Sequence, residues 1–332
     1  GIDRYLQCEI MIVEKNGQIV ADTYGLEAVF FCNSGLEANE CAIKIARKFG
    51  HAKGIEVPNI IVLKHAFHGR SIATLSATGN PSVRADFSPY TEGFIFVDES
   101  DLDGIRKIVE ENKNVVAIFF EPILGEGGVV PIDLSVIKGI REICDEHDLL
   151  MMCDEVQCGM GRSGKWFAHQ WAEIKPDVIT MAKGLAGGVP VGAVIVSEKA
   201  NIFKPGNHGS TFGGNPLAMR AALETLSIIE DEKLVENALE VGKKLKKALS
   251  KSLNGFPGVR GIRGKGLMLG IVLDRDAHDI LELGLKAGLT FSVTAGNVIR
   301  LVPALTITEA EADELVKRIT PVIRSFLAQP KI

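Results

Sequence analysis

The 332-residue chain has no apolar run long enough to cross a membrane. It has no excess of positive charge. A formal net charge of −5 gives no general attraction to nucleic acid or to an anionic membrane surface. None of its six cysteines (Cys8, Cys32, Cys41, Cys144, Cys153 and Cys158) forms a Cys-x-x-Cys pair, and several sit inside apolar runs. They read as reduced, mostly buried thiols, and with no signal-peptide pattern at the N-terminus the expectation is a cytoplasmic protein. His65 and His68 lie three apart with no cysteine or carboxylate cluster beside them, which argues against a metal site. No Gly-x-Gly-x-x-Gly follows the first strand, which excludes a nucleotide-binding dehydrogenase. Internal repeats and low-complexity segments are absent as well. What remains is an ordinary globular composition, 46% hydrophobic and 24% charged, in a chain too long for one small core.

One lysine stands out. Asp177-Val178-Ile179-Thr180-Met181-Ala182 leads to Lys183, and Gly184-Leu185-Ala186-Gly187-Gly188 follows with no other charge. Small neighbours leave room for something bulky. A buried amine is pushed toward its neutral form, and a neutral amine is a nucleophile able to form a Schiff base with a carbonyl. The plainer reading is a strand-end lysine that reaches solvent before a turn.

The other elements give this lysine company. Residues 1–22 read as a hairpin around Asn16-Gly17. Val29–Cys32 is a short buried strand that runs through Asn33-Ser34-Gly35-Leu36 into a helix. Ser34 and Glu37 have capping-box spacing, and such a helix start also offers unpaired N–H groups to an anion. Asn59–Leu63 is a strand ending at Phe67-His68-Gly69-Arg70, where Phe67 is able to stack on a planar ring and Arg70 to grip a carboxylate. Val115–Phe120 ends at Glu121-Pro122 and Gly125-Glu126-Gly127-Gly128. Glu126 is either solvated there or paired with an arginine. Leu149–Cys153 ends at Asp154-Glu155-Val156-Gln157, and Gly159 to Gly164 reads as a flexible loop. Val178–Met181 delivers Lys183. His208 to Pro216 is a turn-rich loop holding Ser210 and Thr211, and 216–251 reads as one long helix.

Strands alternating with helices over 25–200 imply a largely parallel sheet wrapped by helices, an α/β fold, with a small α+β domain after it. We expect residues 1–22 to belong to the small domain, 23–230 to form a large cofactor-binding domain, and 231–332 to complete the small one. Every candidate group follows a strand end, which gathers them at one edge of one sheet. Together they suit pyridoxal 5'-phosphate, which needs a lysine for its aldehyde, an acid for its ring nitrogen and anion donors for its phosphate.

In these motifs, in this order, the chain resembles the class III aminotransferases, which have the fold-type I architecture of pyridoxal phosphate enzymes. The likeness runs from about Val29 to the C-terminus. Phe67-His68-Gly69-Arg70 together with Val293–Arg300 resembles the branch that moves the terminal amino group of N2-acetylornithine to 2-oxoglutarate, in arginine biosynthesis. The resemblance implies Lys183 as the Schiff-base lysine and proton shuttle, and Asp154 as partner of the ring nitrogen. It places Val156 and Phe67 on the two ring faces, Gln157 near the ring hydroxyl, and the N–H groups of Gly35 and Leu36 on the phosphate. It implies a homodimer with shared active sites, in which Thr211 completes the phosphate site of the neighbouring subunit and Ser210 approaches substrate there. Arg70 would take the substrate α-carboxylate, Arg300 a carboxylate of 2-oxoglutarate, and Glu126 would neutralise Arg300 when the other substrate is bound.

The likeness has a gap. The family continues its N-terminal hairpin through an aspartate-led segment, a glycine-rich stretch and a long helix. Here Asp22 is followed almost at once by Tyr24-Gly25-Leu26, so several dozen residues are expected to be skipped in the numbering at this junction. Two other functions stay open. One is another ω-amine as substrate (ornithine, succinylornithine, succinyldiaminopimelate or 4-aminobutyrate). The other is a catalytically inactive homologue with a binding role.

Overall fold

The computed structural model describes residues 28–330; the expected N-terminal hairpin and the junction at Asp22 lie outside them. The chain begins with β1 (Ala28–Cys32), α1 (Gly35–Ala52), β2 (Asn59–Leu63), the short α2 (Ile72–Ala77) and α3 (Pro81–Arg84), β3 (Phe94–Val97) and α4 (Leu102–Glu111). It continues with β4 (Val115–Phe120), the small hairpin β5 (Ile123–Leu124) and β6 (Val130–Pro131), α5 (Leu134–Glu146), β7 (Leu150–Asp154), β8 (Val178–Met181) and β9 (Gly192–Val196). Then come α6 (Pro216–Asp231), α7 (Leu234–Leu253), β10 (Val259–Lys265), β11 (Met268–Leu273), α8 (Ile280–Lys286), β12 (Ser292–Thr294), β13 (Val298–Leu301) and α9 (Glu309–Ala328).

Seven strands form one sheet in the order β1-β9-β8-β7-β4-β2-β3. The pairs from β8 to β3 are parallel, and only β9 runs against the rest. Continuous apolar runs mark strands covered on both faces, and all six residues of β4 are buried. One face packs on α1 through Ala38, Ala42 and Ile45. The other packs on α4 and α5 through Ile105, Ile137 and Ile140. Each such isoleucine contributes about 1.5–3 kcal/mol by leaving water. A second, antiparallel sheet, β10-β11-β13-β12, has its own apolar cluster with α7 and α9.

Two expectations are corrected. The helical stretch after Pro216 is two helices, not one. Lys233 takes a left-handed backbone (φ 52°) between Asp231 and Leu234, in a charged run with no apolar face to carry the helix through. The segment 159–164 is packed, not flexible. Met160 and Ser163 are buried, and Arg162 donates to the carbonyls of Leu267 and Pro303. Its glycines meet other chain segments closely: a methyl group on Gly164 would stand 3.0 Å from Leu239 Cβ. The five described cysteines are free and buried, and burial pushes the thiols of Cys32, Cys41 and Cys144 up to about 12.

Candidate active site

The C-terminal ends of β1, β2, β4, β7 and β8 point to one edge of the large sheet, where a crevice forms in α/β folds. A cavity of about 520 Å³ opens there. Gly35, Leu36, Phe67, Arg70, Asp154, Val156, Gln157 and Lys183 all line it. An adjoining cavity of about 630 Å³ shares Val156, Gln157 and Lys183 and adds Glu126 and Arg300.

Lys183 follows β8 with φ 44°, in the left-handed region that a lysine adopts only at a cost of about 1–2 kcal/mol. That turn sends its side chain into both cavities. The expectation of a buried amine is corrected: Lys183 is exposed in the single chain, with open space beside the nearby Gly188.

Asp154 is 3% exposed. Its Oδ2 accepts from Asn39 Nδ2 (2.7 Å) and His68 Nδ1 (2.8 Å), and its Oδ1 accepts from Val156 N (3.0 Å). Three donors hold the carboxylate in one orientation, and Oδ1 keeps a lone pair for a further donor. His68 is itself fixed by stacking on Phe119, with centroids 4.1 Å apart.

The start of α1 is laid out for an anion. Ser34 Oγ accepts from Glu37 N, and Ser34 O accepts from Ala38 N. Glu37 reaches back past the cap to Asn33 N (2.6 Å), a variation on the expected capping box. The N–H groups of Gly35 and Leu36 are left for an outside acceptor. Gly35 also has to be small, since a methyl group on it would stand 2.5 Å from Val156 Cγ1.

Arg70 is exposed, with its guanidinium 5.7 Å from the centroid of the Phe67 ring. Glu126 is paired, with 38% of its side chain still exposed. Arg300 Nη1 donates to Glu126 Oε1 (2.7 Å) and to Gln157 Oε1 (3.0 Å), and Arg300 Nε donates to Ser292 Oγ (3.0 Å). Gln157 thus faces Arg300 as well as the first cavity. Ser210 and Thr211 are exposed and lie outside both cavities, beside Asn33 and Glu37. Asn33 Nδ2 donates to Ser210 Oγ at 3.2 Å.

Reading the motifs missed the groups that hold these. Glu121 is buried against the cavity and accepts from Phe67 N (2.9 Å) and Gly125 N (3.1 Å). Burial, with Asp154 close by, pushes its carboxyl up to about 8. Its place at the end of β4 was a signal. Asn39 gave one too, four residues after Gly35 on the same face of α1. Nothing local distinguished His68 from any core histidine.

The chain matches the model of the aminotransferase class-III family over residues 7–323. It is 48% identical over 311 residues to acetylornithine aminotransferase 1 of Bordetella bronchiseptica, covering 93% of this chain and 79% of that one. It is 49% identical over 304 residues to the acetylornithine aminotransferase of Nitrosomonas europaea, covering 91% and 77%. Among solved structures, the ornithine aminotransferase of Toxoplasma gondii, with partial occupancy of PLP at its active site, aligns with a TM-score of 0.88 and 34% identity, over 93% of this chain and 75% of that one. A lysine exposed to a cavity, a buried acid and an anion-ready helix start, with one arginine at the same sheet edge and a second from the small sheet, make chemical sense together in this light: the chain belongs to the class-III aminotransferases.

Proposed function

We propose that this aminotransferase moves the terminal amino group of N2-acetylornithine to 2-oxoglutarate, with pyridoxal 5'-phosphate held at Lys183. The observation that carries the reading is one cavity lined by Lys183, Asp154 and Arg70, next to an arginine paired with a carboxylate. Relatives 48% and 49% identical bear the acetylornithine name.

The residues present fit the cofactor. Gly35 and Leu36 supply N–H groups for a phosphate at a helix start, and a side chain at Gly35 would fill that cradle. Asp154 keeps acceptor capacity on Oδ1 toward a ring N–H. Val156 and Phe67 both line the cavity and supply apolar surface for a flat ring, and Gln157 offers a donor beside it. The cofactor, when bound, supplies an electrophilic carbonyl and an electron-withdrawing ring.

The chain's own groups do the rest. Asp154 carries a negative charge in a buried place, so it favours the protonated form of whatever nitrogen meets it. Among the described residues Lys183 is the one amine lining both cavities, placed to take and return the proton at the reacting carbon. Arg70 binds the carboxylate at the far end of N2-acetylornithine in bidentate fashion, which leaves the terminal amine pointing inward. Arg300 takes the second carboxylate of 2-oxoglutarate, and Glu126 covers that charge when the amine, with one carboxylate only, is bound.

The working unit is a homodimer in the cytoplasm. Ser210 and Thr211 stand outside the two cavities that Lys183 lines, beside Phe212 (71% exposed) and Leu217 (74% exposed), where a second copy would bring its phosphate site. Among the described residues the large domain runs to 230 and the small one from 231, in keeping with the helix break at Lys233; the part expected for residues 1–22 lies outside them.

Competition kinetics test the substrate. With 2-oxoglutarate as acceptor, kcat/KM for N2-acetylornithine should exceed those for ornithine, succinylornithine, succinyldiaminopimelate and 4-aminobutyrate. A higher value for any of these would transfer the assignment to it.

A further inference from the structure

The pair Glu126–Arg300 lies over one transverse row of the small sheet. The strand register aligns Arg263 with Gly270, Gly270 with Arg300, and Arg300 with Ser292. In-register partners on antiparallel strands share a face, so two arginines stand on that face two strands apart, about 10 Å, with a glycine between them.

The loop that carries Glu126 is draped along this row. At one end, Arg263 Nε and Nη2 both donate to the carbonyl of Gly128 (2.9 and 2.7 Å). In the middle, the fully buried Val129 sits on Gly270, where a methyl group would come within 2.9 Å of Val129 Cβ. At the other end, Glu126 reaches Arg300 while its own carbonyl accepts from the buried Thr294 Oγ1. Gly125, Gly127 and Gly128 would leave such a loop with many conformations. The donors that remove this freedom come from the same sheet that carries Arg300.

We propose that Arg263 and Thr294 are positioning residues that hold Glu126 against Arg300, and thereby set how strongly the site prefers a dicarboxylate over a monocarboxylate substrate. Both also line a cavity of about 850 Å³ with Arg70 and Glu126, but the donors named above are engaged with the loop. Each acts through a carbonyl of the glycine loop. Fixing Glu126 pre-pairs Arg300, so a monocarboxylate amine meets no bare positive charge. A dicarboxylate has to displace Glu126 before Arg300 can accept it. Loosening the loop favours the dicarboxylate side. The inference rests on the substrate reading above for the roles of Glu126 and Arg300.

The test uses the holoenzyme and the variants Arg263→Met, Arg263→Lys and Thr294→Val. Single-turnover rates are measured for each half-reaction, and glutarate binding is followed by calorimetry. We expect Arg263→Met to raise the ratio of kcat/KM for 2-oxoglutarate to that for N2-acetylornithine by about tenfold, and to tighten glutarate by a similar factor. Thr294→Val should shift both in the same direction, and Arg263→Lys should restore part of the ratio. With Glu126→Gln already in place, neither change should have further effect. Equal loss in both half-reactions with unchanged glutarate affinity would overturn the proposal and leave Arg263 a structural residue. If Arg263→Met does not fold, Thr294→Val decides on the same criteria. If the wild type rejects N2-acetylornithine altogether, the substrate reading fails, and glutarate affinity alone decides on the clamp.

Discussion

His68 Nδ1 lies 2.8 Å from Asp154 Oδ2, and neither side chain is more than 3% exposed. A buried carboxylate held by His68, Asn39 and Val156 is fixed before any ligand arrives. Replacing it should be costly: breaking a buried charged arrangement is worth about 3–5 kcal/mol. Asp154→Asn also removes the charge that would keep the cofactor's ring nitrogen protonated, and should cut kcat by about 10³-fold, about 4 kcal/mol of barrier. His68→Phe keeps a ring on Phe119 but removes one hydrogen bond to the carboxylate, and should cost about tenfold. A loss under tenfold for Asp154→Asn would take the acid out of the chemistry.

Lys183 combines a chemical role with a backbone conformation that disfavours it. Lys183→Ala and Lys183→Gly should both abolish transamination while the chain folds. The glycine variant should be the more stable of the two, by about 0.5–1 kcal/mol. Relief of a left-handed φ outweighs the greater freedom that glycine gives the unfolded chain. Urea midpoints measure the difference. A glycine variant less stable than the alanine variant would show that the surrounding contacts, not Lys183's φ, set the local stability.

The two arginines should separate kinetically. Arg70→Ala should raise the KM for N2-acetylornithine by about 10–100-fold, with cofactor affinity nearly unchanged, since a bidentate carboxylate contact is worth a few kcal/mol. Arg300→Ala should raise the KM for 2-oxoglutarate by a similar factor. Half-reaction kinetics distinguish the two, and a crossed pattern would reverse the assignment.

Glu121 gives the site a pH signature. Burial, followed by the charge of Asp154, raises its carboxyl from 4.5 to about 8. Between these values the folded chain keeps a proton that the unfolded chain has released. The corresponding stability is complete below 4.5, falls as pH rises toward 8, and levels off beyond. Glu121→Gln should flatten that fall. Unfolding curves from pH 5 to 9 measure it (about four units spanning the window), and an equal slope in both proteins would contradict the shift.

Much of this was legible in the residues. The apolar runs of β4 and β7 could be nothing but covered strands, and the motifs after β1, β2, β7 and β8 were bound to share an edge once the strands were parallel. The pairing of Glu126 with Arg300 was one of two readings for a carboxylate between glycines. Long-range partners were not legible. The grip of Arg263 on the loop joins residues 135 apart in sequence, and depends on a register that only the folded sheet defines. The helix break at Lys233 escaped because apolar spacing persists on both sides of a single left-handed residue. Exposure of Lys183 escaped because an apolar approach strand says nothing about where the cavity opens.

The most direct measurement is visible absorption of the protein after incubation with pyridoxal 5'-phosphate. The account predicts a yellow band that bleaches on adding N2-acetylornithine and returns with 2-oxoglutarate, and that Lys183→Ala does not show this cycle. A stable band that N2-acetylornithine leaves unchanged would contradict it.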